Sequence, residues 1–260
     1  MTVRIAWERR GAGPPLVLVH GLGYARWGWE PVVDALARRF ELILFDNRGI
    51  GESDAPPGPY TVAALAGDVL QVMDDAGLTR AHVLGTSLGG MVAQEVALTS
   101  PERVERLVLA CTTPGGTGAY PLPDATLRLI AEAPSREPAV ALRLFVENAL
   151  APATVIEQPE LVDRILAHRL AEPQDPAAWA AQAAAGAAFD RFAQIGAIGM
   201  PTLVQHGTED RVVDPRNAQL LAERLPRATV DLFEGGGHLF FWEDPDRFVA
   251  SVTSFLGGPA

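Results

Sequence analysis

The chain has 260 residues, 48% hydrophobic and 20% charged, with 25 Gly and 21 Pro, a globular composition long enough for one large α/β unit or two small ones. Its 32 acidic residues outnumber 21 basic ones for a net charge of −11, and no basic run offsets this, which argues against nucleic-acid partners. Every basic residue is Arg, so the absence of Lys excludes Schiff-base aldolases, pyridoxal-phosphate enzymes and Gly-Lys-Ser/Thr phosphate loops, and the single Cys111 excludes an intrachain disulfide.

In chain order, Thr2–Trp7 reads as an antiparallel edge strand and Leu16–His20 as a buried strand entered from Gly13-Pro14-Pro15. Pro31–Phe40 reads as a helix, Leu42–Asp46 as a strand, and Val62–Ala76 as a helix with Leu65, Val69, Val72 and Met73 at helical spacing. Ala81–Gly85 is the next strand, Leu88–Thr99 a helix stopped by Pro101, and Val104–Cys111 a further strand. The strands Thr202–His206 and Ala228–Phe233 and the helix Pro245–Phe255 close the chain. This alternation predicts a parallel sheet covered on both faces. It breaks between about 113 and 198, where strand signals vanish and Pro138–Leu150, Leu161–Ala171 and Ala177–Phe192 read as helices. The N-terminus lacks a signal-peptide plan and no apolar run approaches the ~20 residues of a membrane helix, so a soluble, cytoplasmic protein without a membrane partner is expected.

Gly85-Thr86-Ser87-Leu88-Gly89 lies between a strand and a helix, the setting of a nucleophile elbow, a tight turn that lifts a serine Oγ clear of the sheet. A serine needs a base and the base an orienting acid. His238, after Gly235-Gly236-Gly237, is the candidate base. Asp210 is the candidate acid, beyond the C-terminal end of the Thr202–His206 strand, with Glu209 and Asp214 competing; Asp214, before Pro215, also reads as a helix N-cap. A developing oxyanion needs backbone donors. Leu88 N–H at the helix start is one, and Leu22 N–H, in His20-Gly21-Leu22-Gly23, is assigned as the other. His20 is expected to shape that loop, Asp46, Arg48 and Gly49 to brace a turn, and Glu243 to cap the last helix. The five histidines show no metal-ligand spacing, and Gly21-Leu22-Gly23 lacks the third Gly of a dinucleotide loop, since Arg26 takes its place. Neither a metal nor a cofactor is expected.

Taken together, the His20–Gly23 loop, Asp46-Asn47-Arg48-Gly49-Ile50-Gly51-Glu52-Ser53, the Gly85–Gly89 elbow, His206–Asp210 and Gly237-His238 make the chain resemble the α/β-hydrolase fold family from about residue 3 to 257. Within it, the chain is similar to the esterase, 3-oxoadipate enol-lactonase and cofactor-free haloperoxidase group. The resemblance implies a mostly parallel, eight-stranded sheet flanked by helices, with a helical cap inserted after the sixth strand. The core domain would be 1–112 and 199–260 and the cap 113–198. Ser87 stands where epoxide hydrolases and dehalogenases carry Asp. Thr86 and Leu239 depart from the Asn and Trp usual in carbon–carbon bond hydrolases, and hydroxynitrile lyases need a Lys. The expected function is hydrolysis of a small carboxylic ester or lactone through an acyl-enzyme. A perhydrolase with the same triad and a non-catalytic ligand-binding member are the alternatives, and a homo-oligomer is left open. Trp27, Phe145, Trp179, Phe189, Phe192, Leu22 and Leu239 are expected to line the substrate pocket, and Arg128, Arg143 or Arg191 to be available to a substrate carboxylate.

Overall fold

The computed structural model describes residues 3–257. The first part of the chain forms β1 (Trp7–Arg10), β2 (Pro15–Val19), α1 (Glu30–Ala37), β3 (Glu41–Phe45), α2 (Val62–Asp75), β4 (Ala81–Thr86), α3 (Leu88–Thr99) and β5 (Val104–Ala110). Five helices follow: α4 (Asp124–Glu132), α5 (Pro138–Ala149), α6 (Pro152–Glu157), α7 (Pro159–Ala171) and α8 (Pro176–Ala187). The alternation then resumes with β6 (Thr202–Gly207), α9 (Arg216–Arg224), β7 (Ala228–Phe233), α10 (Phe240–Glu243) and α11 (Pro245–Gly257).

The strands form one sheet in the order β1-β3-β2-β4-β5-β6-β7, parallel throughout except for β1. Both faces are covered, which is why the inner strands β2 to β6 read as largely apolar runs, whereas the edge strands β1 and β7 are partly exposed. Val17 and Val19 of β2 point into a cluster with Leu65, Val69 and Val92 of α2 and α3. Leu16 and Leu18, one residue out of phase, pack with Val32 and Leu36 of α1 and Phe248 and Val252 of α11.

The sheet has seven strands among the described residues, not the eight expected. The N-terminal segment supplies one strand, at Trp7–Arg10 rather than Thr2–Trp7, and Thr2 lies outside the described residues. Residues 3–6 are committed elsewhere. Arg4 N donates to Asp54 Oδ2 and Ala6 N to Ser53 Oγ, while Asp46 N and Asp54 N donate back to Ala6 O and Arg4 O. That segment is tied to the loop after β3 and cannot pair as a strand.

The order places β2 beside β4, with Val19 opposite Gly85. From β2 the chain moves to β3 on one side, and from β4 to β5 on the other. This reversal opens a crevice at the C-terminal strand ends, where open α/β sheets bind ligands. The five helices of the insert leave the sheet after β5 and return at β6. α4 and α6 carried no signal strong enough to be predicted. α8 ends at Ala187, five residues before the expected boundary at Phe192. Its start follows its chemistry, since the Asp175 carboxylate accepts Ala178 N ahead of Pro176. Its end is set by tertiary contact. The chain turns so that Gly116 N bonds Phe189 O and Gly115 bridges Asp190.

Candidate active site

Ser87 occupies the turn between β4 and α3 with φ 54° and ψ −119°, a left-handed backbone that a residue with a Cβ adopts only when its surroundings impose it. Those surroundings are visible. Ser87 N is fixed by Ala110 O of β5, and Ser87 O by Thr112 Oγ1. A Cβ on Gly85 would lie 2.2 Å from Gly89 O, and one on Gly89 2.1 Å from Val19 O. The two glycines flanking the serine therefore let helix, elbow and β2 approach at backbone distance. Leu88 N is the first amide of α3, and neither it nor Leu22 N donates a hydrogen bond among the described residues. Two unpaired amides, one at a helix N-terminus, can stabilise a negative oxygen.

His238, in the loop after β7, is buried, and its Nδ1 lies 2.7 Å from Asp210 Oδ2. The same carboxylate oxygen is 2.9 Å from His206 Nε2, while Asp210 Oδ1 accepts Val212 N and Val213 N. His206 Nε2 also faces Val213 O at 3.1 Å, so it carries the proton there. Burial alone would raise the Asp210 carboxyl, but the charge of His238 and hydrogen bonds from His206 and His238 outweigh it. The group is held well below the ordinary carboxylate range and is ionised at neutral pH. An ionised Asp210 accepts a hydrogen bond from His238 Nδ1–H, which leaves Nε2 free to accept a proton. Asp214 lies apart; its Oδ1 accepts Arg216 N at the start of α9 and its carboxylate pairs with the Arg216 guanidinium.

Glu243 does not cap the last helix. Asp244 does, accepting Arg247 N through Oδ1. Glu243 instead accepts Gly237 N with Oε2 and Ala151 N with Oε1, both at 2.6 Å. It thus clips the loop that carries His238 to the α5–α6 junction of the insert. Asp46 and Arg48 brace turns as expected, Asp46 through Arg26 N and Glu52 N, Arg48 through Asp68.

His20 Nδ1 accepts Gly21 N at 2.7 Å, and its ring stacks on Tyr24 at 4.8 Å. Burial is the main cause that lowers this imidazole to about 3. It is therefore neutral when folded and charged when unfolded below about pH 6.5. Between those values the unfolded chain binds the extra proton, so stability rises with pH. The contribution is complete above about pH 6.5 and is lost as pH falls toward about 3. Urea midpoints of the wild type are expected to fall through that window, and those of His20→Asn to fall less steeply. Equal slopes would refute the assignment.

Ser87 and His238 share an apolar cavity of about 130 Å³, closed on one side by the loop after β2 and on the other by the insert. Leu22, Phe145, Trp179 and Leu239 line it, as expected. Trp27, Phe189 and Phe192 do not. Trp27 stacks on His168 at 4.8 Å over a separate surface groove. Phe189 is buried in the α2–α3 side of the core, and Phe192 lies under the Arg224 guanidinium, 3.6 Å from ring centre to Cζ. Nor do the three arginines reach the cavity: Arg143 pairs with Asp163 and Arg191 with Glu95, and Arg128 is exposed. Sequence reasoning missed Tyr24, Asn148, Arg169 and Phe241, all in the cavity wall. Arg169 had a readable signal: it follows the buried Val162 by seven residues and Ile165 by four, on one face of α7.

The family model of the alpha/beta hydrolase fold matches residues 14–245. A hydrolase from Pseudomonas aeruginosa PA01 is 34% identical, with 98% of this chain and 95% of that one aligned at a TM-score of 0.87. The enol-lactonase from Burkholderia xenovorans LB400 is 26% identical over 98% of this chain and 97% of that one, with a TM-score of 0.88. A protein of Azorhizobium caulinodans provisionally named carbamate hydrolase RutD is 30% identical over 256 residues, 96% of this chain and 94% of that protein. The matched span takes in β2 to β7 together with the whole helical insert, and the chain belongs to the α/β-hydrolase fold family.

Proposed function

We propose that this protein is a serine hydrolase that cleaves a small carboxylic ester or lactone through an acyl-enzyme. The observation that carries the reading is the meeting at one apolar cavity of Ser87, the Leu22 loop with its unpaired amide and a histidine whose Nδ1 is held by an ionised aspartate, with the unpaired Leu88 amide directly following the serine. Ser87 Oγ attacks the carbonyl carbon and its proton passes to His238 Nε2. Asp210 stabilises the resulting imidazolium. The carbonyl oxygen, now negative, is held by the Leu22 and Leu88 amides. As the tetrahedral adduct collapses, His238 returns the proton to the departing alkoxide. Water then attacks the acyl group with His238 as base, releasing the acid and restoring Ser87.

Treatment with a fluorophosphonate is expected to give a single adduct on Ser87 by intact-mass and peptide analysis. Ester hydrolysis by a protein that does not label would overturn the reading. The name of the Azorhizobium relative favours a carbamate as second substrate class, since the same addition to a carbonyl begins its cleavage. A panel of p-nitrophenyl esters, lactones and aryl carbamates separates the classes by kcat/KM.

The cavity of about 130 Å³ is close to the volume that holds a benzene-sized guest, about six heavy atoms. In a chain-length series of p-nitrophenyl esters, kcat/KM is expected to peak at short acyl groups of about two to six carbons. A value still rising beyond about twelve carbons would mean that the insert does not close the pocket.

A further inference from the structure

Arg169 stands out among the charged residues of the insert. Its neighbours on α7, Arg164 and His168, both pair with Glu30. Arg169 pairs with no carboxylate among the described residues. Its guanidinium reaches the catalytic cavity, where it lies over the Tyr24 ring at 5.2 Å. No acidic side chain lines that cavity, so the guanidinium faces an apolar space without a countercharge in its wall. An anion that enters the cavity would find this guanidinium available for charge-assisted pairing.

The guanidinium is packed directly against Gly23, a position with no side chain. A Cβ at this position would lie 2.6 Å from Arg169 Nη2 and 3.6 Å from Trp179 Nε1. Two donors, one charged and one neutral, thus stand beside the same backbone position, where the guanidinium takes the space a side chain would fill. The Trp179 N–H donates to no acceptor among the described residues, and Trp179 also lines the cavity. Gly23 directly follows Leu22, whose amide faces the reacting carbonyl in the reading above. The two donors therefore stand one residue along the loop from that amide. With a chain charge of −11, long-range attraction does not favour anions, and acceptance of one has to be local.

We infer that Arg169, with the Trp179 indole N–H, binds a carboxylate of the substrate, so that the ester or lactone cleaved is an anionic one. The inference rests on the hydrolase reading and narrows its substrate class. A guanidinium presents parallel N–H donors that match the two oxygens of a carboxylate, and an added indole donor fixes its tilt. Arg169 then acts as a specificity-determining residue, whereas the charge-paired Arg143 and Arg191 have no such capacity to spare.

Two matched substrate pairs test this. p-Nitrophenyl hemiglutarate against p-nitrophenyl valerate places the carboxylate in the acyl group, and carboxymethyl butyrate against propyl butyrate places it in the leaving group. The wild type is expected to prefer the carboxylated member of at least one pair by tenfold or more in kcat/KM, at about the scale of a hydrogen bond to a charged group. Arg169→Met should lower that ratio by about 10- to 100-fold, and Arg169→Lys should keep part of it. If Arg169→Met does not fold, the wild type still decides: glutarate should inhibit hydrolysis of a neutral ester competitively, raising KM at constant kcat. A wild type that labels on Ser87 yet shows no preference in either pair and no inhibition by glutarate overturns this inference alone. So does an unchanged ratio in a folded Arg169→Met. Absence of the Ser87 adduct overturns the hydrolase reading beneath it.

Discussion

Ser87→Ala is expected to lower kcat for ester hydrolysis by about 10⁶-fold and to abolish the fluorophosphonate adduct, because a nucleophile, its base and its acid act as a unit. The residual rate would come from binding and the Leu22 and Leu88 amides alone. Folding should be nearly unaffected. The backbone of the elbow is held by Ser87 N to Ala110 O and by Thr112 Oγ1 to Ser87 O, and alanine keeps both bonds. The Cβ also stays, so the positive φ of 54° is strained to the same degree in the variant. A urea midpoint close to wild type together with lost turnover separates loss of chemistry from loss of structure. Turnover within tenfold of wild type would mean that another group attacks the carbonyl.

Asp210→Asn is the second large effect, expected to lower turnover by about 10⁴-fold, the scale on which a triad acid replaced by its amide acts. The hydrogen bonds explain why. Asp210 Oδ1 accepts Val212 N and Val213 N, so the amide oxygen of asparagine is retained on that side. Its NH₂ group is then turned toward His238 Nδ1 and His206 Nε2, where an acceptor stood. His238 can satisfy that donor only by moving its proton to Nε2, and that nitrogen can then no longer accept the serine proton. Asp214→Ala should behave differently. It removes an acceptor for Arg216 N at the start of α9, costs about 1 kcal/mol of stability and leaves turnover near wild type. Steady-state kinetics with urea unfolding on both variants checks the pair. The reverse pattern would make Asp214 the orienting acid.

The positions of Ser87, Asp210 and His238 were legible in the sequence because each is marked by local backbone requirements. Gly85 and Gly89 are needed where helix and strand meet at backbone distance, and they bracket Ser87. Asp210 follows the fully buried strand β6 and His238 follows the edge strand β7, of which only Phe233 is buried, and chain order alone puts both beyond strand ends. The pocket was legible only in part. Trp27, Phe189 and Phe192 are large apolar residues that need burial, but the sequence does not say against what. Phe189 found the α2–α3 core, Phe192 the Arg224 guanidinium and Trp27 the His168 ring. Glu243 stands beside a helix start, yet its carboxylate bonds Gly237 N and Ala151 N, six and 92 residues away.

What the sequence by itself determined, then, was the alternation of buried strands and amphipathic helices, the elbow at Ser87, and the placing of Asp210 and His238 beyond β6 and β7. Periodicity and turn chemistry are properties of neighbouring residues, and no distant partner is needed to read them. The tertiary structure alone decided that the N-terminal segment supplies one strand and is otherwise bound to the loop after β3, that α8 stops at Ala187, and that the inward face of α7 brings Arg169 to the cavity shared by Ser87 and His238. Each of these depends on contacts between segments far apart in the chain. Where several apolar or polar partners compete for one side chain, the winner is set by packing volume and by which backbone groups would otherwise be left unpaired, and both exist only once the chain has closed on itself.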